Sequence, residues 1–479
     1  MGKNISAIVA HAAVILAIII TLGLVGAFMS GADAGAGSEK FTGELEQGAV
    51  LKVLENDTAK RQGYFDELLA AFNEEYAQYG ISAVDANLSE STDLEQDGPY
   101  GYGPDVLYQE NDKLMRYVDG RHILPLPVND IECFDEVSET AWKAFLADDG
   151  SGSQGVFAVP VNVQGPLLYY RKDLLPENWQ QEWDDDGDGI CDILQYWTDM
   201  YRFSLERREE SGGKQFGYMR SFLEPYFSLG YLYSYGGYTF GNDNTDPSDI
   251  GHSAGEAEKG AYIIKQLAGA MDERCIDDSV TTGAYSAIAS GEFFATITTP
   301  DVYTMFVDEM KAAGYDDEFI AENLVAADIP MLPASGDLTD ESQGFIPCKM
   351  MGGVNGYAIS SYTNYPNAAL AFVNFATSFE MISLRNEMLG ISPARQDVAE
   401  EVQGSSAIIS NNLAEGNIVV MPSIKENAQI WTPLQTLFQD LARDAYRRPG
   451  EIKYDTLEKL KQALVDVDKQ IYDAIFTLA

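Results

Sequence analysis

Ala49-Val50-Leu51-Lys52-Val53-Leu54, followed by Tyr64-Phe65-Asp66-Glu67-Leu68-Leu69-Ala70-Ala71-Phe72, is the stretch on which the fold turns. The first run is apolar enough for a strand. In the second, Tyr64, Phe65, Leu68, Leu69 and Phe72 recur at helical spacing and predict an amphipathic helix. The alternation then repeats. Ile81 to Leu88 reads as a strand and leads into an acidic, Gly-rich loop at 89–103. Pro104-Asp105-Val106-Leu107-Tyr108 reads as another strand, with a helix from about Asp112. Strand and helix alternating at this pace predict βαβ units and an α/β fold with a largely parallel sheet.

Working outward, 479 residues exceed one ordinary core and imply two lobes. Val156 to Tyr170 reads as two short strands around Asn162-Val163-Gln164-Gly165-Pro166. Helices are expected at about 192–210, 222–235, 255–271 and 284–292, and a strand at Phe294–Thr298 precedes a helix near 301–313. Gly352 to Ser360 is strand-like again. The last helix, Tyr454 to Leu478, carries Leu457, Leu460, Leu464, Val467, Ile471 and Ile475 on one side.

Charge restricts the partners. Lys plus Arg is 31 and Asp plus Glu is 75, a net charge of −44, which repels phosphate backbones and argues against nucleic acid. The three histidines, His11, His122 and His252, make a Ser/His/Asp hydrolase or a His-rich zinc site a poor expectation. Cys133, Cys191, Cys275 and Cys348 show no CxxC spacing, and outside the cell they could form up to two disulfides.

The N-terminus speaks for export. No charged residue falls between Lys3 and Asp33, and Ala7 to Met29 is an apolar run of 23 residues. At about 1.5 Å per residue it is long enough to cross a bilayer core of roughly 30 Å. It reads equally as an uncleaved anchor or as a signal cleaved after Ala34 or Ala36, with a flexible tether to residue 40.

Several motifs, in register, then carry a resemblance. They are Pro104–Tyr108 with Asp112-Lys113; Val159-Pro160-Val161 through Tyr170-Arg171-Lys172-Asp173; Glu224-Pro225-Tyr226-Phe227-Ser228-Leu229 with Gly236-Gly237-Tyr238; Gly291-Glu292 through Pro300; and Met421-Pro422-Ser423-Ile424 with Trp431. Together they resemble an extracellular solute-binding protein of an ABC importer, of the maltose/maltodextrin-binding type, over about residues 45–479. The resemblance implies a two-lobed α/β periplasmic-binding-protein fold (type II), with lobes joined by crossover hinge strands. Residues 1–40 are then anchor and tether, 41–161 plus 355–400 the first lobe, and 165–350 plus 403–479 the second. Crossovers are expected near Asn162–Gln164, near Lys349–Gly353 and after Asp397. The resemblance further implies an oligosaccharide held between the lobes, a membrane permease as partner, a monomer, and an extracytoplasmic location.

A sugar presents a C–H face and a rim of hydroxyls, so its site wants aromatic planes and carboxylates or amides. The resemblance assigns Trp431 and Tyr226 to stacking, and Glu224 and Asp112 to hydroxyls, with Lys113 where the family has Arg. Gln109 and Asp301 stand where the family has Trp, Gln164 where it has Glu, and Tyr303 lies nearby. Asn56 and Asp57 follow the first strand, where polar sugar contacts are expected. Such substitutions imply a more polar cleft, so a shorter or different oligosaccharide is as well supported as maltodextrin. Each residue also has a plainer reading: Trp431 as core, Glu224-Pro225 as a helix start, Asp112 as an N-cap.

One insertion carries separate chemistry. Asp184-Asp185-Asp186-Gly187-Asp188-Gly189-Ile190-Cys191-Asp192 fits D-x-D-x-D-G-x-x-D, with Gln195 where a complete EF-hand has Glu. Asp184, Asp186, Asp188, the Ile190 carbonyl and Asp192 are candidate Ca²⁺ ligands, and a solvated acidic turn is the alternative. Two further functions fit parts of the chain. A secreted glycoside-active enzyme would use Asp112 and Glu224 as acid and base. A membrane-anchored ligand-sensing domain would retain the N-terminal helix.

Overall fold

Val50–Leu54 is a strand because alternate residues have somewhere apolar to go: Leu51 and Val53 are fully buried, while Val50 and Lys52 are exposed. The helix Tyr64–Glu75 then buries Tyr64, Phe65, Leu68 and Phe72. Its Asn73 fastens the next strand, accepting from the Ala83 amide at 2.6 Å and donating to the Ala83 carbonyl at 3.0 Å. The βαβ unit expected from the sequence is therefore present, with Val50–Leu54 parallel to both Ser82–Asp85 and Val106–Glu110. The computed structural model describes residues 40–148, 154–277 and 279–477. The apolar run Ala7–Met29 lies outside them, and no helix of the described residues is long and apolar enough to cross a membrane.

The described residues divide into two compact units, those up to Val161 with 356–381 and those of 162–355 with 382 onward. It leaves the first unit within the strand Val159–Gln164 and returns to it within the strand Met350–Ile359. The final passage corrects the expectation: it comes at Met381–Ile382, not after Asp397. Residues 382–400 belong to the second unit because their hydrogen bonds are made there. Ser392–Pro393 pairs antiparallel with Val163 and Asn162, and Asn386 Nδ2 donates to the Ile391 carbonyl at 2.9 Å and to Ser406 Oγ at 2.8 Å.

In the second unit a four-stranded sheet runs in the order Leu324–Ala327, Leu167–Arg171, Phe293–Thr298, Phe216–Tyr218. It is mixed rather than largely parallel, since Leu167–Arg171 lies antiparallel to both its neighbours. Arg171, 1% exposed, holds the helix Ser279–Ser290 to this sheet. Its Nη1 donates to the carbonyls of Ile288 and Ala289, each at 2.9 Å, and its other nitrogens pair with Asp173 at 2.7 and 2.8 Å. A cation at a helix C-terminus satisfies carbonyls that have no partner within the helix. The helices Leu229–Ser234 and Ala257–Ala270 meet at Gly260, where an added Cβ would lie 2.2 Å from the Tyr231 carbonyl oxygen.

All four cysteines are buried and free, so neither of the disulfides that their number left open is formed. Burial pushes the Cys275 and Cys348 thiols up to about 12 and Cys191 to about 11. They act as small core residues rather than cross-links.

Candidate functional site

In the second unit, the segment expected as one helix at 222–235 is a single 3₁₀ turn, Pro225–Phe227, followed by the helix Leu229–Ser234. Pro225 presets the turn, and Glu224 immediately before it has extended backbone, so its side chain leaves the turn instead of running along a helix. The Glu224 carboxylate pairs with Arg220, whose guanidinium carbon sits 3.6 Å from the centre of the Phe227 ring. Tyr226 is half-buried and meets Phe227 edge-on, with ring centres 5.1 Å apart.

The helix Trp431–Asp444 packs against this turn. Its buried stripe is Leu434, Leu437, Phe438 and Leu441. Trp431, the first helical residue, stands one turn before Leu434 and is only half-buried, at the point where the stripe meets solvent. The preceding segment is pinned by the Met421 amide, which donates to the Gly352 carbonyl at 2.8 Å.

Asp301 and Tyr303 belong to the same neighbourhood, through an aromatic row the sequence reading missed. Tyr285 and Tyr169 flank Phe306 at 4.9 and 5.7 Å, and Tyr169 meets Tyr303 at 5.9 Å. Burial raises the Tyr285 hydroxyl; Arg220 opposes the rise, and Asp301 and Glu224 add to it. Tyr169 is likewise raised by burial and by Asp301, with a hydrogen bond to Ser405 opposing. Glu224 and Asp301 thus act on one hydroxyl, although 77 residues separate them in the chain. Gln164 ends the strand Val159–Gln164 and is half-buried.

In the first unit, Asp57, Gln109 and Lys113 are tied to the loop at Glu90, and Asn56 and Asp112 adjoin them in the chain. The Glu90 carbonyl accepts from Gln109 Nε2 at 3.0 Å and from Lys113 Nζ at 2.7 Å, and its carboxylate accepts from the Asp57 amide at 3.0 Å. Partial burial raises the Asp112 carboxyl and lowers the Lys113 ammonium. Two readings change here. Asn56 caps the helix Asp57–Arg61, its Oδ1 accepting from the Ala59 amide at 2.8 Å, so that oxygen serves the backbone. Gln109 is 3% exposed and ties the Glu90 loop down, and its buried Oε1 makes no hydrogen bond among the described residues. Where the resemblance implies an aromatic plane, Gln109 clamps a loop.

The acidic insertion brings Asp184, Asp186 and Asp188 together, with carboxylate oxygens within 4.8 Å of one another. Gly187 and Gly189, at φ +73° and +82°, supply the turns. Asp192 departs from the expectation. It is 4% exposed and its Oδ2 accepts the Asp185 amide at 2.8 Å, so it braces the loop instead of completing the cluster. The Ile190 carbonyl accepts from Gln195 Nε2 at 3.4 Å, the same nitrogen that reaches both Asp188 oxygens.

Each unit thus carries its own set of polar and aromatic residues, and the fold as a whole has counterparts among known proteins. The profile of the family "Bacterial extracellular solute-binding protein" matches residues 67–413. The chain belongs to that family. The solute-binding chain is similar to the maltodextrin-binding protein MdxE of Bacillus subtilis, 25% identical over 434 residues, covering 88% of this chain and 91% of that one. It is similar also to a galactooligosaccharide-binding protein of the same organism, 25% identical over 413 residues and covering 83% and 85%. Among solved structures, the maltose-binding periplasmic protein MalE of Listeria monocytogenes, in complex with maltose, superposes with a TM-score of 0.69 at 20% identity, covering 89% and 98%. The fold is therefore the two-lobed α/β fold of the periplasmic binding proteins.

Proposed function

We propose that this solute-binding protein is the carbohydrate-capturing component of an ABC importer, binding a neutral oligosaccharide without cleaving it. The observation that carries the reading is in the second unit. There the Pro225–Phe227 turn packs on the Trp431 helix, while Tyr285 stands in the joint field of Arg220, Asp301 and Glu224. Aromatic faces and fixed acceptors are what a sugar ring requires. Asp112 and Lys113 of the first unit supply a second polar set. The similar proteins bind maltodextrin or galactooligosaccharide by name at equal identity, so overall similarity does not select the sugar. The replacement of Trp by Gln109 and Asp301 favours a ligand with fewer stacked rings than a long α-glucan.

The glycosidase alternative is weaker, because Glu224 is held in an ion pair with Arg220 and is not available as a mobile acid. The protein is proposed to act outside the cytoplasm as a monomer that delivers sugar to a membrane permease, with Ala7–Met29 as its export segment. We propose further that the Asp184, Asp186 and Asp188 carboxylates hold a structural Ca²⁺. The donor set is hard oxygen, as that ion prefers, and the Gln195 amide lies beside it.

The test is a thermal-shift panel of maltooligosaccharides and galactooligosaccharides on the folded chain, with mass analysis of the sugars afterwards. A ligand raises apparent stability by mass action, by about 2.7 kcal/mol at a hundredfold excess over Kd. A shifted melting curve with intact sugar supports the reading; cleaved sugar, or no shift with any neutral oligosaccharide, overturns it.

A further inference from the structure

We infer that Arg220 is a positioning residue of this site: it fixes the Glu224 carboxylate so that its remaining oxygen is presented to a sugar hydroxyl. The inference rests on the carbohydrate reading above. Arg220 lies between the strand Phe216–Tyr218 and the Pro225–Phe227 turn, outside any helix, so its pairing with a residue four positions on is made by the loop. The backbone of that loop is fixed on both sides of Arg220. The Met219 amide donates to the Ala295 carbonyl at 3.0 Å, the Phe222 amide to the Cys275 carbonyl at 2.8 Å, and Ser221 Oγ to the Asp277 carbonyl at 2.8 Å.

Exposure separates the two partners. The Arg220 side chain is 7% exposed and covered by Phe227, whereas Glu224 is 39% exposed. A guanidinium so covered does not itself reach a ligand; it acts through the carboxylate it holds. Glu224 Oε2 takes the Arg220 nitrogen, and Oε1 makes no hydrogen bond among the described residues. A fixed acceptor loses less side-chain freedom when a ligand orders it. The pairing also balances the charge of Glu224 in a region that already holds Asp301, which suits a neutral hydroxyl over a cationic group.

The experiment is a double-mutant cycle in the full chain with Arg220→Met, Glu224→Gln and both together, read by calorimetric titration with a maltose-to-maltopentaose series and a galactooligosaccharide series. Melting is measured for every variant. Arg220→Met should weaken binding by about tenfold, a change of roughly 1.4 kcal/mol. In the Glu224→Gln background the same change should alter affinity by no more than about twofold, because contacting residues are non-additive. Arg220→Lys, which keeps the charge, should recover most of the affinity, and it carries the test alone if Arg220→Met fails to fold. Equal weakening in both backgrounds, or Lys no better than Met, would make Arg220 a purely structural residue and overturn the inference. Unchanged affinity in Arg220→Met overturns it too. If the unmodified protein binds none of the sugars, the carbohydrate reading itself has failed, and that outcome is seen before any variant is made.

Discussion

Replacing Trp431 by Ala separates a ligand-stacking residue from a core residue, because the two roles draw on the same ring in opposite ways. A Trp side chain that is wholly buried removes about 150–250 Å² from water, worth roughly 4–6 kcal/mol at 25 cal/mol per Å². Trp431 is half-buried at the first position of its helix, and the stripe behind it, Leu434, Leu437, Phe438 and Leu441, stays in place. The variant should therefore lose no more than about 2 kcal/mol of stability, half of that burial figure or less. In a chain of this size that is a fall in Tm of several degrees. Sugar affinity should fall by about 2 kcal/mol or more, since a buried aromatic anchor of an interface commonly contributes that much. At about 1.4 kcal/mol per decade this exceeds tenfold. Calorimetric titration beside circular-dichroism melting reads both quantities on one sample. A collapse of Tm with unchanged affinity in the folded fraction would show Trp431 to be core, and the assignment of this helix end to the site would fall.

Acid stability should depend on Asp444. Burial alone would raise its carboxyl, but Lys265, Arg447 and the amides of Lys453 and Tyr454 hold it down at about 2. A carboxyl depressed from its usual value of about 3.9 contributes roughly 2–3 kcal/mol, present in full above pH ~4 and lost as the pH falls towards 2. Asp444→Asn should cost about 3–5 kcal/mol at neutral pH, because Lys265 and Arg447 lose their partner, and should flatten the acid limb of the stability curve. A variant with wild-type acid unfolding refutes this. Chelation should lower Tm and Ca²⁺ should restore it better than Mg²⁺, with the response gone in Asp186→Ala/Asp188→Ala and sugar binding kept; identical melting with and without chelator makes the loop an acidic turn only. The native thiols should resist alkylation until the chain unfolds, since burial holds Cys275 and Cys348 near 12; rapid labelling of the folded protein at pH 8 would contradict their placement.

The sequence carried the parts of the fold that have a period. The strand Val50–Leu54 and the helix Tyr64–Glu75 follow from alternate and helical spacing of apolar residues, and both stand where expected. The sequence of 222–235 suits one continuous helix because Pro225 fits a helix start, whereas the folded segment is a 3₁₀ turn packed against the Trp431 helix. The last passage between units, at Met381–Ile382, leaves no sequence signal for a related reason. Ser392–Pro393 is too short to show a strand period, and its pairing with Asn162 and Val163 is a contact 230 residues away in sequence.

What the sequence withheld about the site is electrostatic, and its absence there has a physical cause. Glu224 and Trp431 are legible because their neighbours form a motif, but Arg220 has no motif of its own. Four residues before Glu224 it would be taken for a helix-surface ion pair, worth a few tenths of a kcal/mol. Folded, the same pair sits on a non-helical loop with the guanidinium 7% exposed beneath Phe227, so the pairing becomes compulsory. Breaking a buried pair strands a charge and costs several kcal/mol, whereas an exposed pair is worth under about 1 kcal/mol. Burial, which no single residue declares, converts a marginal charge pair into one that fixes a carboxylate. The same applies to Asp301. In the sequence it is a lost aromatic; in the fold it is a charge that acts with Glu224 on the Tyr285 hydroxyl. The Arg220–Glu224 pairing and the field of Asp301 at Tyr285 are decided in the folded chain, where no motif announces them.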